Sequence, residues 1–405
     1  MTELNLKIAD VGRRGEGIAH HDGGVIFVPG TLPGEDVVAE GEGERLALKQ
    51  ITSASPARVV PFCKHYGRCG GCQLQHWDET PYQSWKKSLV EQALKARGIE
   101  HSVLELIDAH GAGRRRVSIH VRRREKIVTA GFMEARSHNL LDIDICPILE
   151  PALARAFDIA RAIGSKLSDC DVAVTSTLTG LDVSVKAERK IVEQEHAKLA
   201  ALVHELNLAR LGVNGEVIAT AAVPKIQMGL VQVAIPPGTF LQATAEGEAV
   251  LARLVLEGVG RAKTVADLFC GIGPFAMRLA ARSKVEAYDT DKPAMAAMNA
   301  AVKATPGIKP LVAAVRDLFR EPLVPNEMKQ FDAVVIDPPR AGAEAQAKQL
   351  ARSKVKTVVS VSCDVSSFAR DAEILIGGGY SLKSVTAVDQ FKWSSHVEMV
   401  GVFAR

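Results

Sequence analysis

The sequence is poor in cysteine, has no long apolar run and is almost balanced in charge. Its seven cysteines are too few, and odd in number, for a disulfide scaffold in a chain of 405 residues, so we expect metal ligands or reactive thiols in a reducing compartment. No apolar stretch approaches the roughly 18 residues that predict a membrane helix, and early charges such as Glu3 and Lys7 argue against a secretory signal. These absences predict a cytoplasmic protein with no membrane partner.

The composition excludes disordered, collagen-like and coiled-coil chains, since 47% of the residues are hydrophobic and 24% are charged. The formal net charge of +3 does not by itself identify a nucleic-acid partner. That charge is unevenly distributed, because residues 110–137 contain eight Arg or Lys and two Glu. Alternating Val117, Ile119 and Val121 within this segment predict a strand pair with one basic face.

Three patterns divide the chain, whose length leaves room for two or three domains. Short Val- and Ile-rich runs separated by glycine turns predict a small β-barrel over residues 1–57. Residues 58–235 combine a cysteine-rich loop, a predicted helix near 81–97, the basic segment and a stretch without motifs. Over 236–405, apolar runs alternate with Ala-rich helical segments, which predicts a mostly parallel, doubly wound α/β sheet of seven strands.

A glycine loop follows the first strand of this α/β region. Gly271 and Gly273 permit a tight turn and close approach of a ligand, but Ala276 replaces the third glycine of the dinucleotide-binding pattern. Asp289 ends the second strand, where a carboxylate can accept ribose hydroxyls, and Asp317 follows the third strand. The pattern predicts an adenosine ligand, of which S-adenosylmethionine is the common one for such a sheet. A structural glycine turn beside surface acids is the alternative.

Two later strand ends carry reactive groups. Asp337 with Pro338 and Pro339 predicts a rigid loop at the ligand-binding edge, and Cys363 ends the fifth strand beside the same crevice. Carbon 5 of a pyrimidine is a poor nucleophile until a group adds to carbon 6, and a thiolate can make that addition. Glu398, on the last strand pair, is the candidate base for removing the C5 proton. This chemistry requires a site that favours the thiolate; a buried structural cysteine is the alternative.

Four cysteines have the spacing of a metal site, in which three thiolates of one loop converge and a distant cysteine closes a tetrahedron. The set is Cys63, Cys69, Cys72 and Cys146. One cysteine-rich loop with a distant Cys-Pro favours a [4Fe–4S] cluster, and zinc is the alternative. The remaining Cys170 and Cys270 are predicted to be packing residues.

Taken together, these residues resemble the RNA uracil-C5-methyltransferase family, in its TRAM-bearing, iron–sulfur-containing form typified by bacterial 23S rRNA enzymes. The resemblance covers nearly the whole chain and is weakest at 150–235. It implies an OB-like TRAM barrel, a central α+β iron–sulfur domain and a class I methyltransferase domain. The cofactor-binding residues expected from the resemblance and the glycine loop are Gln242, Phe269, Gly271, Gly273, Asp289, Asp317 and Asp337.

Three positions depart from the family pattern. Pro274 stands where the family has a small polar residue, so a side-chain contact is lost there. Asp364 and Val365 replace Asn-Pro after the nucleophile, which affects how Cys363 is presented, and Asp289 is shorter than the usual Glu. None of these changes removes a chemical group that the mechanism requires.

The resemblance implies a monomeric enzyme of the EC 2.1.1 class that methylates C5 of one uridine in structured RNA, with 23S rRNA favoured over tRNA. The residues expected to contact RNA phosphates are Arg115, Arg116, Arg122 and Arg124. A non-catalytic RNA-binding protein is a second hypothesis, which the presence of Cys363 and Glu398 argues against. An N-methyltransferase using Asp337 is a third, and Arg340 stands where those enzymes have an aromatic residue.

Overall fold

The computed structural model describes residues 2–405 and divides into two compact units. One unit comprises the residues up to Leu89 together with Phe132–Leu141 and Phe391–His396. The other comprises Val90–Gly131, Asp142–Gln390 and Val397–Arg405. The division into three domains at residues 57 and 235 stays a prediction.

Five antiparallel strands form the predicted small barrel, in the order β3-β2-β1-β4-β5. Their bounds are β1 (Thr2–Val11), β2 (Glu16–His21), β3 (Gly24–Pro29), β4 (Asp36–Gly41) and β5 (Ala47–Ser53). The Leu46 N–H donates to the Phe27 carbonyl, which links β3 to the chain entering β5. Alternation of apolar and polar residues places one face of each strand inside, and the resulting core contains Leu6, Ile8, Ala19, Val28, Val37, Ala39 and Leu46.

Helix α1 (Glu79–Lys95) lies where a helix was predicted. Its first half belongs to the unit of the barrel, and there Trp85 Nε1 donates a hydrogen bond to the Val11 carbonyl at 2.9 Å. Buried Trp77 and Tyr82 pack around the same indole. An aromatic cluster therefore joins the helix to the end of β1.

A second sheet has seven strands in the order β13-β12-β11-β10-β7-β8-β9. Their bounds are β7 (Arg116–Arg124), β8 (Ile127–Met133), β9 (Leu140–Asp142), β10 (Cys170–Thr177), β11 (Gly180–Ala187), β12 (Leu208–Val213) and β13 (Glu216–Thr220), with helices α2 (Ala156–Leu167) and α3 (Glu193–Glu205) between them. Val117, Ile119 and Val121 are buried, which confirms the strand with one polar, basic face. A Cβ at Gly164 of α2 would lie 2.3 Å from Val121 Cγ1, so only glycine lets α2 approach β7 this closely.

The third sheet has eight strands in the order β18-β17-β16-β19-β20-β22-β21-β6. Its strands are β6 (Leu106–Asp108), β16 (Thr264–Leu268), β17 (Lys284–Asp289), β18 (Leu311–Val315), β19 (Ala333–Ile336), β20 (Thr357–Ser362), β21 (Ser381–Asp389) and β22 (Glu398–Ala404). β16 to β20 are parallel, and β22 runs antiparallel to β20 and β21. The seven predicted strands are confirmed. The eighth, β6, comes from a segment with no strand signal of its own and pairs in parallel with β21.

Helices and one hairpin cover this third sheet. Their bounds are β14 (Lys225–Met228), β15 (Val231–Ala234), α4 (Ala245–Val259), α5 (Ala276–Leu279), α6 (Lys292–Lys303), α7 (Glu344–Ala351) and α8 (Val365–Gly377). The hairpin residues Met228, Val231 and Val233 are fully buried in the core of this sheet, so the strand pair before residue 236 packs with the α/β region. Among residues 2–405, no helix is both long and apolar enough to cross a membrane.

Candidate active site

Most of the predicted site residues meet at one edge of the eight-stranded sheet. The parallel strands end at this edge: Asp289 is the last residue of β17, and the segments after the other four strands contain Phe269, Asp317, Asp337 and Cys363. β22 runs in the opposite direction, so its first residue, Glu398, starts at the same edge. Ligands bind at the carboxyl ends of strands in open α/β sheets. The fold therefore assembles one crevice from positions far apart in the chain.

Strand register brings Cys363 and Glu398 together. β20 and β22 pair Ser362 with Met399, so Cys363 and Glu398 are the next facing positions. β19 aligns Ile336 with Ser360, which places Asp337 beside Val361, two residues before Cys363, and the charge of Asp337 acts on both Cys363 and Glu398. A thiol and two carboxyl groups thus share one small region.

The glycine loop holds Asp289 by a backbone hydrogen bond. Gly271 and Gly273 have φ of +53° and +82°, which favour glycine, and a Cβ on Gly273 would lie 2.4 Å from Met298 Cε. The Gly271 N–H donates to Asp289 Oδ2 at 2.9 Å, and the Asp291 N–H donates to Oδ1 at 3.0 Å. Oδ1 also accepts from Thr290 Oγ1 at 3.4 Å, whereas Oδ2 has a second lone pair that can accept a ribose hydroxyl. The loop and Asp289 therefore fit an adenosine group.

An aromatic wall adjoins this loop. The rings of Phe269 and Phe319 lie 5.2 Å apart between centroids, and Phe319 is 48% exposed. Asp317 Oδ1 accepts hydrogen bonds from the Phe319 and Arg320 N–H groups, so this carboxylate shapes the loop that presents the ring. Sequence analysis missed Phe319; the available signal was an aromatic residue in a short loop directly after Asp317.

A tight turn presents Cys363. Asp364 is the N-cap of α8 and accepts hydrogen bonds from the Ser366 and Ser367 N–H groups at 3.0 and 2.9 Å. Its own N–H donates to Ser362 Oγ at 3.3 Å. Asp364, where the family has Asn, thus caps the helix directly after Cys363 and fixes the turn in which Cys363 lies.

The crevice does not favour the thiolate of Cys363, contrary to the sequence expectation. Burial, together with the charges of Glu398 and Asp337, raises the pKa of Cys363 to about 11. Burial and Asp337 raise the pKa of Glu398 to about 8, and burial with Asp289 raises the pKa of Asp337 to about 7. The cause is an excess of acidic groups in a desolvated place. The protein alone keeps Cys363 as a neutral thiol at neutral pH.

Asp267 adds to this acidic character. It is fully buried at the end of β16, and burial and the charge of Asp337 raise its pKa well above the usual range, although the Ala276 backbone N–H lowers it. A positive charge would stabilise the ionised form of every carboxyl group here. The crevice therefore suits a cationic ligand, which agrees with the sulfonium of S-adenosylmethionine.

Gln242 lies buried beside this region and is held from two directions. Its Oε1 accepts a hydrogen bond from Gln390 Nε2 at 2.7 Å, and its carbonyl accepts one from Arg115 Nε at 3.0 Å. Gln390, which sequence analysis also missed, donates to Glu398 as well. The only signal for Gln390 in the sequence was that it directly follows the predicted strand that precedes Glu398.

Arg115 does not face solvent, contrary to the prediction of a phosphate contact. It is 7% exposed, and its guanidinium forms an ion pair of 2.6 Å with Glu248. The same Glu248 pairs with Arg278 at 2.8 Å. Arg115 therefore makes internal contacts that hold the segment of Gln242. The sequence does not reveal this, because a run of basic residues gives the charge of each side chain but not its burial.

The other three predicted RNA-binding arginines lie on or beside the polar face of the central sheet. Arg116 lines an open groove with Ser118 and Lys186, and burial lowers the pKa of Arg116. Arg124 is 76% exposed and lies 3.0 Å from Asp169, while Arg122 is 3.9 Å from the same carboxylate. These three arginines remain candidates for phosphate contacts, although Asp169 partly neutralises the positive charge of Arg122 and Arg124.

The predicted metal ligands do not form a recognisable site. Cys63, Cys69 and Cys72 occupy one loop of the unit that contains the barrel, and Cys146 belongs to the other unit. The Gly71 N–H donates to Cys69 Sγ at 3.4 Å. Burial raises the pKa of Cys69, and the neighbouring Cys63 raises it further. Within the described residues 2–405, no group of three or more His, Cys, Asp or Glu side chains is placed to hold a metal ion, so the structure does not support the cluster.

The two remaining cysteines are buried. Cys170 begins β10, and burial raises the pKa of its thiol to about 12. Cys270 lies within the glycine loop, in the core of the eight-stranded sheet, and burial raises its pKa well above the ordinary value. Both placements agree with packing roles.

The sequence matches two family models. Residues 138–405 match the family described as tRNA (Uracil-5-)-methyltransferase, and residues 2–40 match the TRAM domain. Among solved structures, the chain resembles Pyrococcus abyssi tRNA (uracil-54, C5)-methyltransferase in complex with S-adenosyl-L-homocysteine, with a TM-score of 0.78 over 99% of each chain. At 22% identity, that likeness shows the fold.

Curated relatives extend over the full chain. An uncharacterised RNA methyltransferase of Brucella suis is 44% identical over 99% of this chain and 97% of its own length. The 23S rRNA (uracil(1939)-C(5))-methyltransferase of Shewanella sediminis is 29% identical over 99% of this chain and 96% of its own length.

The acidic crevice predicts slow alkylation of Cys363 in the protein without ligand. At pH 7 its thiolate fraction is expected to be roughly two orders of magnitude below that of an ordinary cysteine, and the rate should rise with pH up to about 11. Above about pH 8, where Glu398 is ionised, Glu398→Gln removes a negative charge and should accelerate the reaction. Mass spectrometry of iodoacetamide-treated protein measures the rate, with Cys170 as the internal control. An unliganded Cys363 that titrates near or below pH 8.5 contradicts this account.

Proposed function

The chain belongs to the RNA uracil-C5-methyltransferase family, and from this membership we propose that it uses S-adenosylmethionine to methylate carbon 5 of a specific uridine in 23S rRNA. The observation that carries the proposal is the convergence of Cys363, Glu398 and Asp337 at one sheet edge, next to a loop that fits adenosine. The full-length similarity to a 23S rRNA enzyme supports the substrate class.

The cofactor is proposed to bind along the glycine loop. Bound S-adenosylmethionine supplies an electrophilic methyl carbon on a positively charged sulfur. Asp289 is placed to accept the ribose hydroxyls, and the rings of Phe269 and Phe319 form a surface against which adenine can pack. The remaining proposed cofactor contacts are Gln242, Gly271, Gly273, Asp317 and Asp337.

Cys363 is proposed to be the nucleophile. Its thiol loses a proton, the thiolate forms a bond to C6 of the uracil, and the electron pair of the C5–C6 double bond moves onto C5 and the C4 carbonyl oxygen. Carbon 5 then takes the methyl group, and the carbon–sulfur bond of the donor breaks. Because burial and two acids raise the pKa of Cys363 to about 11, a bound cation would lower the cost of forming this thiolate.

Glu398 is proposed to be the base that completes the reaction. Its carboxylate takes the C5 proton, the C–H electron pair restores the C5–C6 double bond, and the bond from C6 to Cys363 sulfur breaks to release the thiolate. Its pKa of about 8 makes this base protonated below that pH and ionised above it. A rate limited by this step should therefore increase as the pH rises through that value.

The RNA is proposed to approach over the polar face of the central sheet. Arg116, Arg122 and Arg124 offer positive charge for phosphates there. The target base would leave its stack to reach C5 chemistry in a buried crevice. A tRNA uridine is the second candidate substrate, because the matched family model carries a tRNA description.

A covalent trap tests the mechanism. With RNA in which 5-fluorouridine replaces uridine, C5 carries no removable proton, so the adduct through Cys363 should persist in denaturing gels when S-adenosylmethionine is present. Cys363→Ala should abolish the adduct and lower methylation of normal RNA by at least about 10³-fold, as expected for loss of a nucleophile. Cys170→Ala is the matched control and should retain both. Equal methylation by wild type and Cys363→Ala would show the mechanism to be wrong.

The same assay distinguishes the substrates. Transcripts of 23S rRNA and of tRNA are compared, and the proposal predicts the faster adduct with 23S rRNA. An adduct with tRNA alone would replace the substrate assignment while leaving the chemistry intact.

We also propose a [4Fe–4S] cluster on Cys63, Cys69, Cys72 and Cys146, with zinc as the alternative. The cysteine spacing supports it. Three buried side-chain nitrogens near this loop, His65 Nε2, Gln75 Nε2 and His76 Nε2, have no hydrogen-bond partner in the described structure, which is unusual for protein interiors. The side chains as placed do not form the site, and no step of the reaction above involves it.

Metal analysis tests the cluster. Protein purified without oxygen should contain about four irons and four sulfides per chain, and it should absorb light at about 400 nm. Cys69→Ala should lose these features, whereas Cys170→Ala should keep them. Stoichiometric zinc, or no metal in the anaerobic protein, would contradict the cluster.

A further inference from the structure

Gln390 connects two parts of the candidate site that are far apart in sequence. It follows β21, is fully buried, and lies between Gln242, which precedes α4, and Glu398, which begins β22. Gln390 Nε2 lies 2.7 Å from Gln242 Oε1 and 3.1 Å from Glu398 Oε1. Gln390 Oε1 lies 3.0 Å from the Ala243 N. One amide group therefore contacts the proposed base and the proposed cofactor segment.

The orientation of this amide follows from its partners. A backbone N–H can only donate, so the Gln390 atom facing the Ala243 N–H must be the oxygen. The nitrogen then faces Glu398 and Gln242, and its two hydrogens are used by those two acceptors. Since Gln242 Oε1 is occupied in this way, the group that Gln242 can offer to a ligand is its NH₂ donor.

The Gln390 side chain packs tightly against the first turn of α4. A Cβ at Gly247, in the first turn of α4, would lie 2.7 Å from Gln390 Oε1 and 2.8 Å from its Cβ. Buried amides that are fully hydrogen-bonded hold one conformation, because losing any partner leaves a buried polar group unsatisfied. The side chain is thus confined and oriented by its surroundings.

Resting on the proposed function, we propose that Gln390 is a positioning residue for methyl transfer, which orients the Glu398 carboxylate, favours its ionised form and fixes Gln242 toward the cofactor. An N–H donor stabilises a carboxylate but not its protonated form at the same oxygen. Among the groups that act on Glu398, Asp337 disfavours its ionisation, and Arg340 and the Gln390 amide favour it. Cys363 faces the same carboxyl and becomes a second negative charge when it ionises.

The test uses the step that Glu398 performs. If deprotonation at C5 slows, the methylated adduct through Cys363 accumulates on normal RNA, without fluorouridine. Gln390→Leu should show this adduct, with kcat at pH 7 lower by roughly tenfold, as for loss of one hydrogen bond to a charged group. The acidic limb of the pH profile of kcat for Gln390→Leu should move to higher pH by about one unit, and the activity of this variant should recover at alkaline pH. The KM for S-adenosylmethionine should rise, because Gln242 loses its partner.

A second variant and a matched control complete the experiment. Gln390→Glu retains an acceptor for the Ala243 N–H but places a carboxylate beside Glu398, so its acidic limb should lie at still higher pH. Gln346→Leu removes another fully buried glutamine, whose amide hydrogen-bonds to the Leu323 backbone and to Met328. This control should lower the melting temperature without adduct accumulation or a displaced pH profile.

The outcomes separate this inference from the proposed function. If wild type produces no 5-methyluridine, the proposed function fails. If wild type is active and Glu398→Gln accumulates the adduct, but neither folded Gln390 variant does so or shifts the pH limb, Gln390 has only a structural role and the inference is overturned. The inference is equally overturned if Gln346→Leu reproduces the effects of Gln390→Leu.

Discussion

The candidate site depends on the crowding of acidic groups in a desolvated crevice. Asp267 and Glu398 are buried at one sheet edge beside the half-buried Asp289 and Asp337, and burial together with the charge of a neighbouring carboxylate raises the pKa of Asp267, Asp337 and Glu398. Burial, together with the charges of Glu398 and Asp337, also raises the pKa of the Cys363 thiol to about 11. A cation entering this crevice would offset these costs together, and in the proposed mechanism it would thereby favour ionisation of Cys363.

Topology creates this crowding. Five parallel strands deliver their following loops to one edge, and the reversed strand β22 brings Glu398 to the same edge from the end of the chain. Backbone hydrogen bonds then fix each group: Gly271 to Asp289, and the Asp364 cap after Cys363. Gln390 ties the last strand pair to the segment before α4, across 148 residues of sequence. The relative positions of the site residues are therefore set by the whole sheet and not by any single sequence motif.

Much of this arrangement is predictable, and the exceptions have physical causes. The strands of the α/β sheet, the barrel and the glycine loop follow from local patterns of apolar residues and glycine, so they are recognised without a structure. Arg115 was misassigned because its ion pair with Glu248 joins distant segments. Gln390, Phe319 and the short strand β6 escaped prediction because tertiary contacts define them, and the high pKa of Cys363 depends on neighbours that only the sheet register brings close.

The most direct test of the central claim is tritium release from RNA labelled at C5 of uridine. Methylation at C5 through Cys363 and Glu398 replaces that hydrogen, so the account predicts one tritium released to water for each methyl group transferred from S-adenosylmethionine, and neither event with Cys363→Ala. Methyl transfer without tritium release would place the new bond elsewhere on the RNA and contradict the account.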